Sequence, residues 1–261
     1  MENNKVVLVL VDGLRPDAVQ QCKHPFLREF MEKQCTYSYN GLTIMPSLTL
    51  PCHMSLFHSV GADRHGILNN TYIRPSHSID GLFDVLHKHK KKNFFYHTWH
   101  ELRDLCRPGA LSRDIFINYY TYDSDADVEL CDCACRDIAA EQPDFVFYYT
   151  GNSDEKAHKY GWMGEEYMAA VELASRNIEK LYHALPEGFS MVITADHGGH
   201  ASTHGTEMPE DMTIPVAFYG PQWEKGKALE QIRLLDIAPT IADMMGCEIP
   251  ADWDGVSLLK K

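Results

Sequence analysis

The stretch "KVVLVLVDG", residues 5–13, decides how the rest of the chain is read. Six apolar residues in a row, Val6 to Val11, lack the alternation of a strand with one wet face. A strand buried on both faces reads this way, as in a parallel sheet between two helical layers. The run is too short to cross a bilayer, and only four residues precede it, so it reads as a first strand and not as an export signal. It ends in Asp12-Gly13. In open parallel sheets, ligands gather beyond the carboxyl ends of the strands, so an acid delivered there bears on function as well as fold.

Working outward, "DFVFYYT" (144–150) and "SMVITA" (190–195) have the same continuous apolar character, and "NFFYHTW" (93–99) and "TIPVAFYG" (213–220) are further strand candidates. Helical patterns fall between and after them. "SIDGLFDVLHKHKK" (78–91) spaces Ile79, Leu82, Phe83 and Leu86 for one helix face, residues 165–185 form the longest helix candidate, and 236–245 form a last one, with Asp236 as N-cap and Pro239 in its first turn. Strands alternating with helices predict an α/β fold, a three-layer α/β/α sandwich with a mainly parallel central sheet. No repeat, linker or composition break divides residues 1–261, which are read as a single domain.

Apolar residues make up 44% of the 261, enough for a substantial core, and the formal net charge of −13 argues against a surface that coats a nucleic-acid polymer. No membrane span is expected. Eight cysteines without an export signal suit reduced thiols in a cytoplasm. "CDCAC" (131–135) is most simply helix packing, with Cys131 and Cys135 one turn apart. The basic run "HKHKKK" (87–92) reads as a solvated helix end. The oligomeric state leaves no mark in the sequence.

Three acids follow three of the strands: Asp12, Asp154 and Asp196. Singly, each is an ordinary turn or capping residue. Histidines change the reading. Asp154 and His158 are spaced to chelate from one helical turn, His197 is next to Asp196, and His204 follows in "DHGGHASTHG", a loop too glycine-rich for helix or strand. Carboxylate and imidazole donors without thiolate suit Zn²⁺, with Mn²⁺ as the alternative, and six of them are too many for one tetrahedral ion. Two divalent metal ions sharing a substrate fit the count. Thr49, between Pro46 and Pro51 in "TIMPSLTLPCHM" (43–54), offers a hydroxyl at the mouth of a helix. Coordination to a cation makes such a hydroxyl a usable nucleophile, and the helix N-terminus favours an anion. Thr49 also has a plainer reading, as an N-cap.

"VDGLRPD", "MPSLTLPCHMSLFHSVGADRHGILNN", "SDEKAH", "ADHGG" and "HGTEMPEDMTIPVAFYGP" resemble the metal-dependent alkaline phosphatase superfamily, and most closely its nucleotide pyrophosphatase/phosphodiesterase branch. The resemblance implies that Asp12, Thr49, Asp196 and His197 hold one zinc and that Asp154, His158 and His204 hold the other. It makes Thr49 the nucleophile and Asn70 a hydrogen-bond donor to a phosphoryl oxygen. His200 is a rival to His204; His53 and His65 are read as structural. Only eight positions separate Asp196 from His204, where diesterases of this branch often carry a long insertion, so the core is expected to lack a large cap. The implied function is hydrolysis of a small phosphodiester or nucleotide pyrophosphate through a phosphothreonine. A phosphomonoesterase or phosphonate hydrolase shares the core. A sulfatase is disfavoured because "TLPCH" lacks the Cys/Ser-x-Pro-x-Arg pattern, and a phosphoglycerate-type mutase is disfavoured because it would use serine and an inserted domain. The rival from another class is a non-catalytic metal- or phosphate-binding domain.

Overall fold

The computed structural model describes residues 4–74, 79–107, 109–118 and 125–259, apart from the Asp125 side chain. Among them the strands are β1 (Lys5–Val11), β2 (Thr36–Leu42), β3 (Asn93–His97), β4 (Arg113–Phe116), β5 (Phe145–Thr150), β6 (Phe189–Thr194), β7 (Thr213–Tyr219), β8 (Lys227–Ala228) and β9 (Ile232–Arg233). The helices are α1 (Pro16–Gln21), α2 (Phe26–Gln34), α3 (Thr49–His58), α4 (Ala62–His65), α5 (Leu82–Lys88), α6 (Asp125–Glu141), α7 (Asn152–Tyr160), α8 (Glu165–Ala184), α9 (Pro209–Met212) and α10 (Ile237–Met244). Ser78, the first residue of the helical stretch expected before β3, lies outside the described residues.

All nine strands join one sheet in the order β4-β3-β5-β1-β6-β7-β2-β8, with β9 also on β2. From β4 to β6 the pairing is parallel. β5 and β6 are buried along their whole length, and β1 from Val6 onward, as the continuous apolar runs require. Helices α1, α2, α6, α7 and α8 pack on one another as one group, and α3, α4, α5 and α10 as a second, giving the layers that cover the sheet. α3 is buried from Thr49 to Phe57, so it has no polar face to show water.

The sheet is mainly parallel and Asp236 holds the N-cap position of α10, as expected, with two details added by the structure. β7 is antiparallel to both of its neighbours. The segment between β6 and β7 stays at one end of the sheet and contains only the short α9, so the chain re-enters the sheet from the end it left. A parallel return would need a crossover along the sheet. Asp236 occupies the N-cap position of α10 but makes no side-chain cap. Its carboxylate instead accepts from Arg233 and from the Val256 N–H at 3.0 Å, tying down the closing segment.

The register of the central strands places the site. Val11 lies opposite Thr150, and Leu10 opposite Thr194. The chain therefore leaves β1, β5 and β6 at one level, with Asp12, the start of α7 and Asp196 side by side.

Candidate metal centre

Asp12 follows β1 directly, and its N–H donates to the Thr150 carbonyl at 3.0 Å. Its Oδ2 accepts a short bond from the Tyr149 hydroxyl, and its Oδ1 has no hydrogen-bond partner. Asp196 follows β6. Its Oδ1 accepts from the Gly13 N–H at 3.2 Å and the His197 N–H at 3.0 Å, and its Oδ2 has no partner. Asp154 is in the first turn of α7, and its Oδ1 is likewise without a partner. Three buried carboxylates thus each keep one oxygen unsatisfied; those of Asp12 and Asp154 stand among the clustered donors, whereas Asp196 is in neither cluster and its free oxygen lies beside His197 and His53.

The imidazoles are prepared in a common way. His197 Nδ1 lies 2.8 Å from the Gly198 carbonyl, His204 Nδ1 2.8 Å from the Ser47 carbonyl, and His158 Nδ1 3.1 Å from the Ser202 carbonyl. A carbonyl can only accept, so each Nδ1 carries a proton and each Nε2 is turned inward, the arrangement that orients metal ligands. His197 Nε2 lies 3.4 Å from Asp12 Oδ1, 3.3 Å from Asp196 Oδ2 and 3.3 Å from the Thr49 hydroxyl. His204 Nε2 and His158 Nε2 face each other at 3.2 Å, with Asp154 oxygens 3.7 and 3.3 Å away, respectively. The His197 and His204 rings stack at 3.7 Å.

Two groups of donors result, Asp12–Asp154–His197 and Asp154–His158–His204, and Asp154 belongs to both. The sequence assigned Asp154 to one group only. Its placement between the two is a tertiary result. The first group is buried, whereas the second opens to solvent through His158.

The electrostatics mark the space as one for positive charge. Burial, reinforced by the Asp196 and Asp154 carboxylates, raises Asp12 well above the usual carboxylate range, and burial also raises Asp196. Burial pushes the Asp154 carboxyl up too, but the bond to His158 and the charges of three imidazoles bring it net below its ordinary value. The Asp154 bond lifts His158 to about 9, while burial lowers His204 to about 4 and lowers His197. Facing imidazole nitrogens and converging carboxylates are stable only with a proton or a cation among them. By donor type and by their unsatisfied oxygens, these residues fit divalent cations.

Thr49 is the first residue of α3, not its N-cap. Leu48 holds that place, and no side chain caps the helix. The Thr49 hydroxyl is therefore not occupied by capping and faces His197. Asn70 accepts the Leu50 N–H on its Oδ1 at 3.0 Å, which leaves its amide N–H groups for another partner, and it lines the same cavity of about 140 Å³ as Thr49, Asp12, Asp154, His158 and His204. His200 is turned elsewhere: its Nδ1 lies 2.7 Å from Asp211 Oδ1, and it stands in neither donor group. His53 and His65 sit in the buried scaffold, on the Thr49 carbonyl and the Ser55 hydroxyl.

Other contributors had not been singled out. Tyr149 holds Asp12 from inside a strand, where it reads as core. Thr98, Trp99, Gly151 and Glu155 complete the cavity wall; Trp99, in "NFFYHTW" at the end of β3, carried the one usable signal, an aromatic at a strand end. Of the aromatics near the motifs, Trp162 is buried beneath the site, edge-on to His158, and donates to the Gly13 carbonyl at 3.0 Å. A methyl on Gly199 would lie 2.2 Å from Trp162 Cε2, and one on Gly13, at φ +66°, would lie 3.1 Å from Asp154 Oδ1, so both glycines are required by close approach.

The sequence profile of the Metalloenzyme superfamily matches residues 115–249, more than half of the chain. The chain belongs to this superfamily. It is the alkaline phosphatase superfamily to which the motifs point, and the profile of type I phosphodiesterases/nucleotide pyrophosphatases matches residues 6–108. The two segments together contain every candidate ligand, Thr49 and Asn70. A 2,3-bisphosphoglycerate-independent phosphoglycerate mutase of Clostridioides difficile (strain 630) is 34% identical over 140 residues, 51% of this superfamily member and 27% of the mutase. The chain thus spans about a quarter of the length of the curated relatives it matches. Murine ectonucleotide pyrophosphatase/phosphodiesterase 5 shares the fold with a TM-score of 0.79 at 13% identity, covering 96% of this chain and 97% of that one. A sulfatase-like protein from Bacteroides thetaiotaomicron VPI-5482 gives 0.82 at 15% identity, covering 99% and 74%.

Proposed function

We propose that this chain is a metal-dependent phosphoric ester hydrolase that cleaves small phosphodiesters through a phosphothreonine at Thr49. The observation that carries the reading is the Thr49 hydroxyl, at the mouth of a buried helix and 3.3 Å from His197 Nε2, beside two adjoining donor groups. Asp12, Thr49, Asp196 and His197 would hold one cation, with Asp154 shared, and Asp154, His158 and His204 the other. Oxygen and nitrogen donors without thiolate favour Zn²⁺, with Mn²⁺ as the alternative. Bound there, the cations would supply the charge that lowers the pKa of the hydroxyl and stabilises a departing oxygen.

The chain's own residues do the rest. Thr49 Oγ1 gives up its proton to solvent and attacks phosphorus in line. The Oγ1–P bond forms as the bond to the leaving alkoxide breaks, and the alkoxide takes a proton from solvent. The Asn70 amide and the N-terminal dipole of α3 face the non-bridging oxygens, where charge accumulates. Water then attacks from the vacated side, its oxygen bonding to phosphorus as the Oγ1–P bond breaks, and the proton it releases is balanced by the one Thr49 Oγ1 takes up from solvent. Among the described residues, none of the side chains lining the cavity is Lys or Arg, so none of them supplies a fixed cation for the second charge of a monoester. This favours diesters over phosphomonoesters and phosphonates.

Thr49→Ala is expected to lower turnover of bis(p-nitrophenyl) phosphate by at least ~10³-fold while cations still bind. Turnover near wild-type level would remove Thr49 from its role. Wild-type turnover of p-nitrophenyl phosphate above that of the diester would overturn the diester preference. A phosphomutase reading is favoured by the curated relatives, and it predicts isomerised phosphate ester in place of released alcohol and phosphate. A binding domain without catalysis predicts stoichiometric cation and no turnover. The proposal includes a small phosphate ester as substrate, no nucleic-acid polymer as partner, and a cytoplasmic location. Among the described residues no helix is long and apolar enough to cross a membrane.

A further inference from the structure

β3 ends in His97, and the two residues that follow it, Thr98 and Trp99, form one side of the cavity. β3 pairs with β5 in parallel, Tyr96 opposite Tyr148, so the chain leaves both strands at the same end of the sheet. Thr98 is tied to that end, since its hydroxyl accepts the Gly151 N–H at 3.2 Å. Trp99 is half-buried and stands where the chain turns from β3 into the 3₁₀ segment His100–Leu105.

The His97 side chain fixes this turn. It is 2% exposed, with its ring stacked on Phe95 at 4.4 Å between centroids and tilted against Phe116 at 5.0 Å. Nδ1 lies 2.7 Å from the Trp99 carbonyl, and Nε2 lies 3.2 Å from Asp114 Oδ1. A carbonyl only accepts, so Nδ1 carries a proton and donates across the turn. The Trp99 peptide is thereby joined to a buried, packed ring two residues back. The other hydrogen bond to this carbonyl, from the Leu102 N–H, is long at 3.4 Å. The two contacts of the ring differ in worth. The Asp114 side chain is 46% exposed, and an ion pair so open to water contributes little.

We propose that His97 is a positioning residue that holds Trp99 as a wall for an ester group of the substrate. This rests on the phosphodiesterase reading above. An indole face suits the organic part of an ester, whereas the phosphoryl oxygens belong to Thr49, Asn70 and the cation donors. The His97 hydrogen bonds go to Trp99 and Asp114, so the residue acts on the cavity through the Trp99 carbonyl.

The test is steady-state kinetics with bis(p-nitrophenyl) phosphate, with inorganic phosphate as a competitive inhibitor that has no ester group. Trp99→Ala should raise KM for the diester ~2–10-fold and leave kcat and the phosphate inhibition constant near wild type. His97→Gln, whose amide stands in for Nε2, loses the donor to the Trp99 carbonyl and should raise KM by a similar factor. His97→Asn, whose amide nitrogen stands in for Nδ1, keeps that donor and should hold KM near wild type. Asp114→Ala should also hold it. In the Trp99→Ala background, His97→Gln should add nothing. If His97→Gln does not fold, His97→Leu, which fills the buried space without a donor, is judged by the same criteria. A wild-type KM in His97→Gln would overturn the proposal, and so would an equal rise in His97→Asn or a weakening of phosphate inhibition in step with KM. Diester turnover with an unchanged KM in Trp99→Ala would remove this inference and leave the reading of the site intact. Wild-type protein without diester turnover would overturn that reading and this inference with it.

Discussion

His65 shows how a single histidine near the motifs serves the scaffold. Its Nδ1 accepts the Ile67 N–H at 3.0 Å, so the ring proton is on Nε2, which meets the Ser55 hydroxyl at 2.9 Å. Burial lowers its pKa from 6.5 to about 4. A histidine whose folded-state pKa is depressed adds stability above its unfolded pKa, and that stability is lost as pH falls through the folded value. The protein is therefore expected to lose about 3 kcal/mol from this group between pH 6.5 and 4, at 1.36 kcal/mol per pKa unit. Urea denaturation across that range should show a shallower pH dependence in His65→Gln than in wild type, and identical slopes would refute the assignment. At the same scale, the sequence named the donors but not their supports. Tyr149 looks like an ordinary strand aromatic until its partner Asp12, far away in the chain, is known.

Among the elements, the loop between β6 and β7 has the least regular structure and carries the most donors. Asp211, fully buried at its end, organises it. Its Oδ1 lies 2.7 Å from His200 Nδ1, its Oδ2 accepts from the Thr206 N–H at 2.9 Å and the Thr206 hydroxyl at 2.7 Å, and its carbonyl accepts from the Gly198 N–H at 2.8 Å. Arg15 closes the other side by donating to the Gly199 carbonyl at 2.9 Å. Asp211→Ala removes the buried acceptor of His200 and Thr206, both partly open to water, and should cost about 1–3 kcal/mol in urea denaturation. A change below ~1 kcal/mol would show that the loop stands without it. Strand reading followed burial. β1, β5 and β6 were legible because both their faces are covered. β2 was not, since "TYSYNGL" is polar and alternates in burial beside the two-residue β8 and β9, and β4 has only four residues.

For the whole molecule, the concentration of buried acids at one sheet end has a thermodynamic consequence. Asp12, Asp154 and Asp196 are held together against their mutual repulsion by the rest of the fold. Cations that bind this arrangement and not the unfolded chain stabilise it by RT ln(1 + [M]/Kd), or about 3–4 kcal/mol at 100–1,000 times Kd. Removal of divalent cations with a chelator should lower the urea midpoint accordingly, and re-addition of Zn²⁺ should restore it. A midpoint indifferent to both would argue against the two-cation reading.

Apolar runs, helical spacing and the acids and histidines that follow strands are local patterns, and those patterns determined the layered α/β class and the identities of the candidate donors. The strand register, the antiparallel turn into β7, the central place of Asp154, and the partners Tyr149 and Asp211 were decided only by the tertiary structure. Each depends on contacts between residues remote in the chain, and no local propensity encodes which of several chemically equivalent side chains will meet across the sheet end.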